Sequence, residues 1–224
     1  MSTYTPPNIK LANVEKQAEI MARCQPLLTI NAALVGFCTH RDAIVKLSVL
    51  PENEQYLYRK QYPYAHALFD AINEIVMRWL ATGKIQTAPP NCPFNSPLLA
   101  VPKKDDQGRM TGVRLCIDIR TLNTYLLEED KFSIPHIPDV LAAFAGGKLF
   151  GEFDLHEAYF QFQLSIESQK YSAFSWNGQQ YVFLACPYGI KHIPSLFQRF
   201  ISNLFSDMKF VFPYIDNLGF ASKD

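Results

Sequence analysis

The sequence predicts an α+β fold in which an antiparallel sheet packs on helices. Three observations lead there. Tyr64 to Ala81 and Ile193 to Met208 carry apolar residues at the spacing of half-buried helices. Strand-like segments recur in pairs, at 98–119 across a long polar loop and at 170–185 and 210–221 across short turns. Helices and hairpins also alternate in mixed order, with no β-α-β repeat of the kind that builds a parallel sheet.

Residues 1 to 38 begin polar and Pro-containing and then turn weakly helical; they carry no legible chemistry and read as an extension or linker. In the first strong helix, Leu68, Ile72, Ile75, Val76, Trp79 and Leu80 define the apolar face, and Gly83 follows where a helix would end. Pro89, Pro90, Pro93 and Pro97 then impose an extended connection. Leu98 to Pro102 and Val113 to Ile119 flank KKDDQGRMTG, whose Gly108 and Gly112 suit a long basic loop between two antiparallel strands.

Lys148 to Leu155 alternates, with Leu149, Phe153 and Leu155 on one face and Phe150, Glu152 and Asp154 on the other. Lys170 to Trp176 and Gln179 to Ala185 form a hairpin, because Asn177-Gly178 accepts the positive backbone angles of a two-residue turn. In the second helix Leu196, Phe197, Phe200, Ile201, Leu204 and Phe205 mark the buried face, and Pro194 is tolerated in the first turn. A last hairpin, Phe210 to Ala221, is expected to turn at Asp216-Asn217.

Composition narrows the function classes. With 224 residues, 48% of them hydrophobic, the chain can bury a core and is not a disordered segment. Basic and acidic residues balance at 21 each, so any nucleic-acid site must come from local clustering rather than a global field. Five cysteines with no C-x-x-C pair argue against a disulfide framework and against a zinc site. No signal peptide or membrane-length apolar run is legible, so the expectation is a soluble intracellular protein.

Asp154, near a strand end, can meet a second acid from a neighbouring strand, and Asp216 at the tip of FVFPYIDNLGF is the candidate. Two sheet-borne carboxylates a few ångströms apart repel unless a divalent cation lies between them, and two-metal phosphoryl transfer is one use of that arrangement. Against this stands the plain alternative, since Asp-Asn suits a hairpin turn and a lone Asp at a strand end is usually a solvated cap. Lys103, Lys104, Arg109, Arg114 and Arg120 face only Asp105, Asp106 and Asp118 over residues 103–120, a local surplus of two positive charges that could hold a triphosphate or a nucleic-acid backbone, although most charge runs are solvated faces.

In order, PLLAVPKKD with VRLCIDIRTLN, then FDLHEAYFQFQL, FLACPYGIKHIPSLFQRF and FPYIDNLGFASKD resemble the reverse transcriptases of gypsy-like long-terminal-repeat retrotransposons, which belong to retroviral-type Pol polyproteins. The likeness runs along roughly residues 40 to 224. It implies a right-hand polymerase with an extension at 1–39, fingers at 40–127 and 162–193, and palm at 128–161 and 194–224, without thumb or RNase H. It implies template-directed nucleotidyl transfer on an RNA or DNA template-primer from deoxynucleoside triphosphates, away from membranes, in the cytoplasm or in virus-like particles.

The resemblance further implies that Asp154 and Asp216 hold two Mg²⁺ ions, with Mn²⁺ possible, and that Lys103 and Arg114 grip the triphosphate, with Lys104 the alternative. Ala158 and Tyr159 fall where the family selects the deoxyribose, and Tyr188-Gly189 matches its aromatic-Gly pair beside the nucleotide. Without the resemblance, Tyr159 reads equally as a core aromatic and Pro187-Tyr188-Gly189 as a simple turn.

Three departures stand out. The family hairpin ends in two aspartates, whereas Asn217 here brings a carbonyl oxygen and no charge, so impaired metal binding and turnover are expected. Pro213 interrupts the strand into that hairpin, which makes an edge position the expectation. Lys191-His192-Ile193 replaces the family's Thr-Asn-Ala. A degenerate remnant that keeps the fold and at most binds nucleic acid is the competing reading. An unrelated fold would leave Asp154 and Asp216 far apart.

Overall fold

A computed structural model describes residues 14–34, 36–127 and 131–223. The chain divides into two compact units, Met1–Val35 and Gly36–Asp224. In the first, helix α1 (Val14–Ala33) carries Pro26 within it, and Thr29 turns its hydroxyl back onto the Gln25 carbonyl at 2.9 Å. Met21, Leu27, Leu28 and Ile30 on α1 are exposed.

In the second unit, β1 (Ile44–Val45) precedes α2 (Phe69–Ala81), β2 (Ile85–Thr87), and the long ribbon β3 (Leu98–Lys104) and β4 (Met110–Ile117). Helices α3 (Arg120–Tyr125) and α4 (Ile137–Ala143) lead to β5 (Leu149–Asp154), β6 (Gln163–Leu164) and α5 (Ile166–Gln169). The chain continues through β7 (Phe174–Trp176), β8 (Gln179–Phe183), α6 (Ile193–Leu204), β9 (Val211–Tyr214) and β10 (Asn217–Ser222). Among the described residues the strands form four small sheets rather than one: β3-β4, β2-β8-β7, β5-β10-β9 and β1-β6. Only the last, a two-residue pairing, is parallel.

Helix α2 starts later than the periodicity predicts, after a 3₁₀ turn at His66–Leu68, and buries Ile72, Val76 and Trp79 along one stripe. It ends as expected at Gly83, whose φ of +69° reverses the chain while the Lys84 N–H donates to the Trp79 carbonyl at 2.9 Å. The β7–β8 hairpin turns on Asn177 (φ 46°) and Gly178 (φ 78°), the two positive angles of a type I′ turn. Lys170–Ser172, expected as strand, is instead a 3₁₀ turn, its geometry tied by the Ser172 hydroxyl donating to the Gln169 carbonyl at 2.7 Å.

The basic loop is shorter than the sequence implies. β3 and β4 stay paired out to Lys104 and Met110, which places Gly112 inside β4 opposite Lys103 and leaves only residues 105–109 as the tip. Asp105 organises that tip by accepting from the Gln107 and Arg109 backbone N–H groups, both at 2.9 Å, and Gly108 supplies φ +77°. At the other end β4 stops at Ile117, two residues before the expected boundary.

The core centres on aromatic rings. Phe183, Phe174, Trp79 and Phe160 pack with centroid separations of 5.2 to 6.5 Å, joining α2, the β2-β8-β7 sheet and the turn after β5. Beside α3, Asp118 is nearly buried, accepts two bonds from the Arg120 guanidinium at 2.8 and 2.7 Å, and accepts the Tyr62 hydroxyl at 3.1 Å.

The Arg120 hydrogen bonds outweigh the burial penalty and lower the Asp118 pKa from 3.8 to about 2. A carboxyl held lower in the folded chain than in the unfolded chain stabilises above its unfolded value and loses that contribution on acidification. The fold should therefore lose about 1–2 kcal/mol between about pH 4 and pH 2, a figure discounted because the Arg120 side chain is exposed. Urea titrations across that window check this, and an Asp118→Asn variant should show a flatter profile, less stable at neutral pH.

Among the described residues, no helix is long and apolar enough to cross a membrane.

Candidate active site

Strand β5 pairs with β10 in antiparallel register from Leu149↔Ser222 to Asp154↔Asn217. Residues directly opposite in such a pair project to the same face with Cα atoms about 4.5–5.5 Å apart, so Asp154 and Asn217 are immediate neighbours. The Leu155 N–H donates to the Asp216 carbonyl at 2.7 Å, which fixes the next residue against the same strand end. The two aspartates read from sequence thus lie at one end of one small sheet.

The hairpin turn is displaced by one residue from the expected position. Tyr214 pairs with Asn217, so the two-residue turn is Ile215-Asp216 rather than Asp216-Asn217. Ile215 has φ +54°, the positive first angle of a type II′ turn, where glycine is the ordinary occupant. A β-branched side chain is strained there, at a cost of about 1–3 kcal/mol. Ile215→Gly should therefore raise stability slightly, by zero to about 1 kcal/mol once the extra freedom of the unfolded chain is counted. The same change in a relaxed strand would destabilise, and thermal melts separate the two outcomes.

Pro213 sits on β9, which is an edge strand as expected, opposite Leu218. The alternation of β5 does not produce a buried and a solvated face: Leu149 (60%), Phe150 (62%) and Phe153 (64%) are all exposed. β5 is the other edge of a three-stranded sheet, and exposed side chains stand on both of its faces. On the face shared by Phe150, Glu152 and Asn217, helix α4 and Phe144 line an open, largely apolar groove of about 690 Å³. Gly219 lies beneath it, and a Cβ there would stand 2.5 Å from the Phe144 ring and force that ring to shift.

Ala158 is buried and Tyr159 half-buried in the 3₁₀ turn that follows β5. Tyr159 packs on Tyr188 at 5.0 Å and on Phe197 of α6 at 5.4 Å. Burial first, and then the charge of Asp216, push the Tyr159 hydroxyl up to about 12. Tyr188 is also raised, by burial and by the charges of Glu157, Asp216 and Asp154. The two tyrosines therefore stay protonated donors beside the acids.

Gly189 adopts φ +104°, and its carbonyl accepts from Asn123 of α3 at 2.8 Å. Its side-chain position has ordinary room, so backbone angle rather than space demands glycine.

Lys103 and Arg114 lie on the β3–β4 ribbon, a separate sheet from the acids. Lys103 pairs with Gly112 and Arg114 with Val101, so the two cations occupy diagonal positions on one face. Lys104 follows a register irregularity and pairs with Met110. Arg109 is neutralised by Asp105 at 2.8 Å and Arg120 by Asp118 at 2.7 Å. No ion pair among the described residues engages Lys103, Lys104 or Arg114, which leaves Lys103 and Arg114 as the cations of one face and Lys104 on the other.

Two contributors escaped the sequence reading. Glu157, in left-handed conformation at φ 49°, pairs with Lys84, whose ammonium also lies over the Phe160 ring at 5.0 Å. Gln198 of α6 is fully buried against the β9–β10 hairpin. A glutamine on the same helical stripe as Phe197 and Ile201 was the available signal, since a buried amide must find partners.

A sequence profile of the family described as reverse transcriptase (RNA-dependent DNA polymerase) matches residues 101–224, more than half of the chain. The chain belongs to the reverse transcriptase family. Among curated relatives, the Drosophila melanogaster retrovirus-related Pol polyprotein from transposon opus is 30% identical over 185 residues, 82% of this chain and 18% of the relative. That from transposon gypsy, in the same organism, is 30% identical over 204 residues, 88% of this chain and 19% of the relative. The chain thus spans under a fifth of the length of these polyproteins.

A foamy viral protease-reverse transcriptase, solved with an RNA/DNA hybrid, superposes with a TM-score of 0.74 at 19% identity, over 95% of this chain and 27% of that one. The fold is accordingly the α+β fingers and partial palm of a right-hand polymerase, and this reverse transcriptase region is of the gypsy-like retrotransposon type.

Proposed function

We propose that this reverse transcriptase region carries out RNA-directed DNA synthesis by a two-metal mechanism, with Asp154 and Asp216 as the cation ligands. The supporting observation is the Asp154↔Asn217 register together with the Leu155 N–H on the Asp216 carbonyl, which brings the Asp216 backbone to the strand end that carries Asp154. The donor set suits Mg²⁺ or Mn²⁺: two carboxylates and the Asn217 amide oxygen are hard oxygen ligands at the end of one sheet. When bound, the ions would activate a primer 3′-hydroxyl and neutralise charge on departing pyrophosphate.

The chain's own residues do the rest. Lys103 and Arg114, diagonal neighbours on the ribbon, hold the triphosphate, with Lys104 the alternative, and the planar Arg fork matches phosphate oxygens. Ala158 and Tyr159 close the sugar position and so select deoxynucleoside triphosphates, while Tyr188-Gly189 lines the nucleotide. The template-primer is an RNA or DNA strand pair; the foamy viral relative solved with an RNA/DNA hybrid supports this. Residues 40–127 and 162–193 act as fingers, 128–161 and 194–224 as palm, and 1–39 as an extension.

Asn217 favours a second reading, a remnant that keeps the fold and binds nucleic acid without catalysis. It stands opposite Asp154 but adds no charge, and among the described residues no cluster of three or more His, Cys, Asp or Glu side chains could hold a metal. The test is Asn217→Asp, both in the chain alone and with residues 36–224 exchanged for the matching segment of the gypsy polyprotein. We expect about tenfold or more gain in Mn²⁺ affinity, and primer extension by the exchanged protein on an RNA template. A variant that folds, binds template-primer and Mn²⁺, yet incorporates no nucleotide, refutes the polymerase reading.

A further inference from the structure

We infer that Gln198 is a positioning residue that clamps the β9–β10 turn to helix α6 and thereby sets where Asp216 stands relative to Asp154. The inference rests on the metal-site reading above for its functional consequence, but its geometry stands alone. Gln198 is 0% exposed, and both ends of its amide are spent on one hairpin. Its Oε1 accepts the Ile215 N–H at 2.7 Å, and its Nε2 donates to the Pro213 carbonyl at 2.9 Å. Nε2 also lies 3.1 Å from the Ser202 hydroxyl one helical turn along.

These two backbone atoms flank Tyr214 at the entry to the turn. The Ile215 N–H is the first amide beyond the last ladder pair, Tyr214↔Asn217, so the strand ladder does not use it. Ile215 also holds the strained φ of +54°, and such a conformation persists only where surrounding contacts over-determine it. Gln198 supplies that contact. On its other side Asp216 is tied to β5 by the Leu155 N–H at 2.7 Å. Asp216 is thus held between α6, through Ile215, and the strand that carries Asp154. Without the amide the turn is free to relax out of the left-handed region and carry the carboxylate with it.

The test uses the chain as it stands, with free Mn²⁺ measured by electron paramagnetic resonance and the Ile215 amide followed by hydrogen exchange in NMR. Gln198→Met, similar in length but unable to bridge the two groups, should weaken Mn²⁺ binding by about 10- to 100-fold, the usual scale for removing a group that orients a ligand. It should also release the Ile215 amide to exchange. Ile72→Val, at a fully buried site in α2, should lower the melting temperature and leave Mn²⁺ affinity unchanged, which separates positioning from general destabilisation.

Should Gln198→Met fail to fold, Gln198→Glu decides, since it keeps the acceptor for Ile215 and loses the donor for Pro213. An intermediate loss of affinity supports the clamp. Affinity within about twofold of the parent with a protected Ile215 amide, in whichever variant folds, overturns it. A parent chain that binds no Mn²⁺, with a freed Ile215 amide in the variant, supports the clamp and sinks the metal-site reading alone.

Discussion

Asp154→Asn should abolish divalent-cation binding at the hairpin end, weakening Mn²⁺ affinity by about a hundredfold or more, while leaving the fold intact. Asp154 is exposed at the last position of β5, and its side chain shares a face with Asn217 beside the Asp216 turn. An amide in its place keeps the shape and the oxygen but removes one of the two negative charges there, and cation binding by hard oxygen ligands depends chiefly on charge. No described ion pair involves Asp154, so stability should change by less than about 0.5 kcal/mol, or rise slightly as repulsion with Asp216 falls. Mn²⁺ titration beside a thermal melt reads both parts. Unchanged affinity with an unchanged melt would count against the paired acids as a cation site.

Phe183→Ala should be the most destabilising single change in the core, at about 3–5 kcal/mol. Phe183 is 1% exposed and touches Trp79, Phe160 and Phe174 at centroid distances of 5.3, 6.2 and 5.2 Å. Three different elements lose a partner at once, and rings fixed by their own neighbours cannot close the space left behind. The effect should reach the site, because Phe160 also supports Lys84 and, through it, Glu157. A urea midpoint shift at constant slope gives the value. A loss under about 1 kcal/mol would mean that the aromatic cluster is not the packing centre described.

Sequence reasoning reached the features whose local and tertiary preferences agree. Asn177-Gly178 turned as expected because both residues accept positive φ, and α2 ended at Gly83 for the same reason. The ordered motifs identified the family because they combine many positions, each weak alone. The misses share a cause: tertiary contacts overrode local preference. No single-sequence rule puts isoleucine at a positive φ, so local preference points one residue late, to Asp216-Asn217, where Asp and Asn suit a turn.

The ribbon ran past the glycine that looked like a loop residue, because cross-strand pairing outweighed that signal. The two aspartates were legible as acids at element ends, but their adjacency required a register between strands more than fifty residues apart in sequence. Gln198 was invisible as a functional residue because its importance lies in two backbone atoms of another element.

The most direct measurement is anomalous diffraction from crystals of the chain soaked in Mn²⁺. The account predicts manganese at about 2 Å from carboxylate oxygens of both Asp154 and Asp216. Well-ordered crystals with no manganese between those side chains, or with carboxylates more than about 6 Å apart, would contradict it.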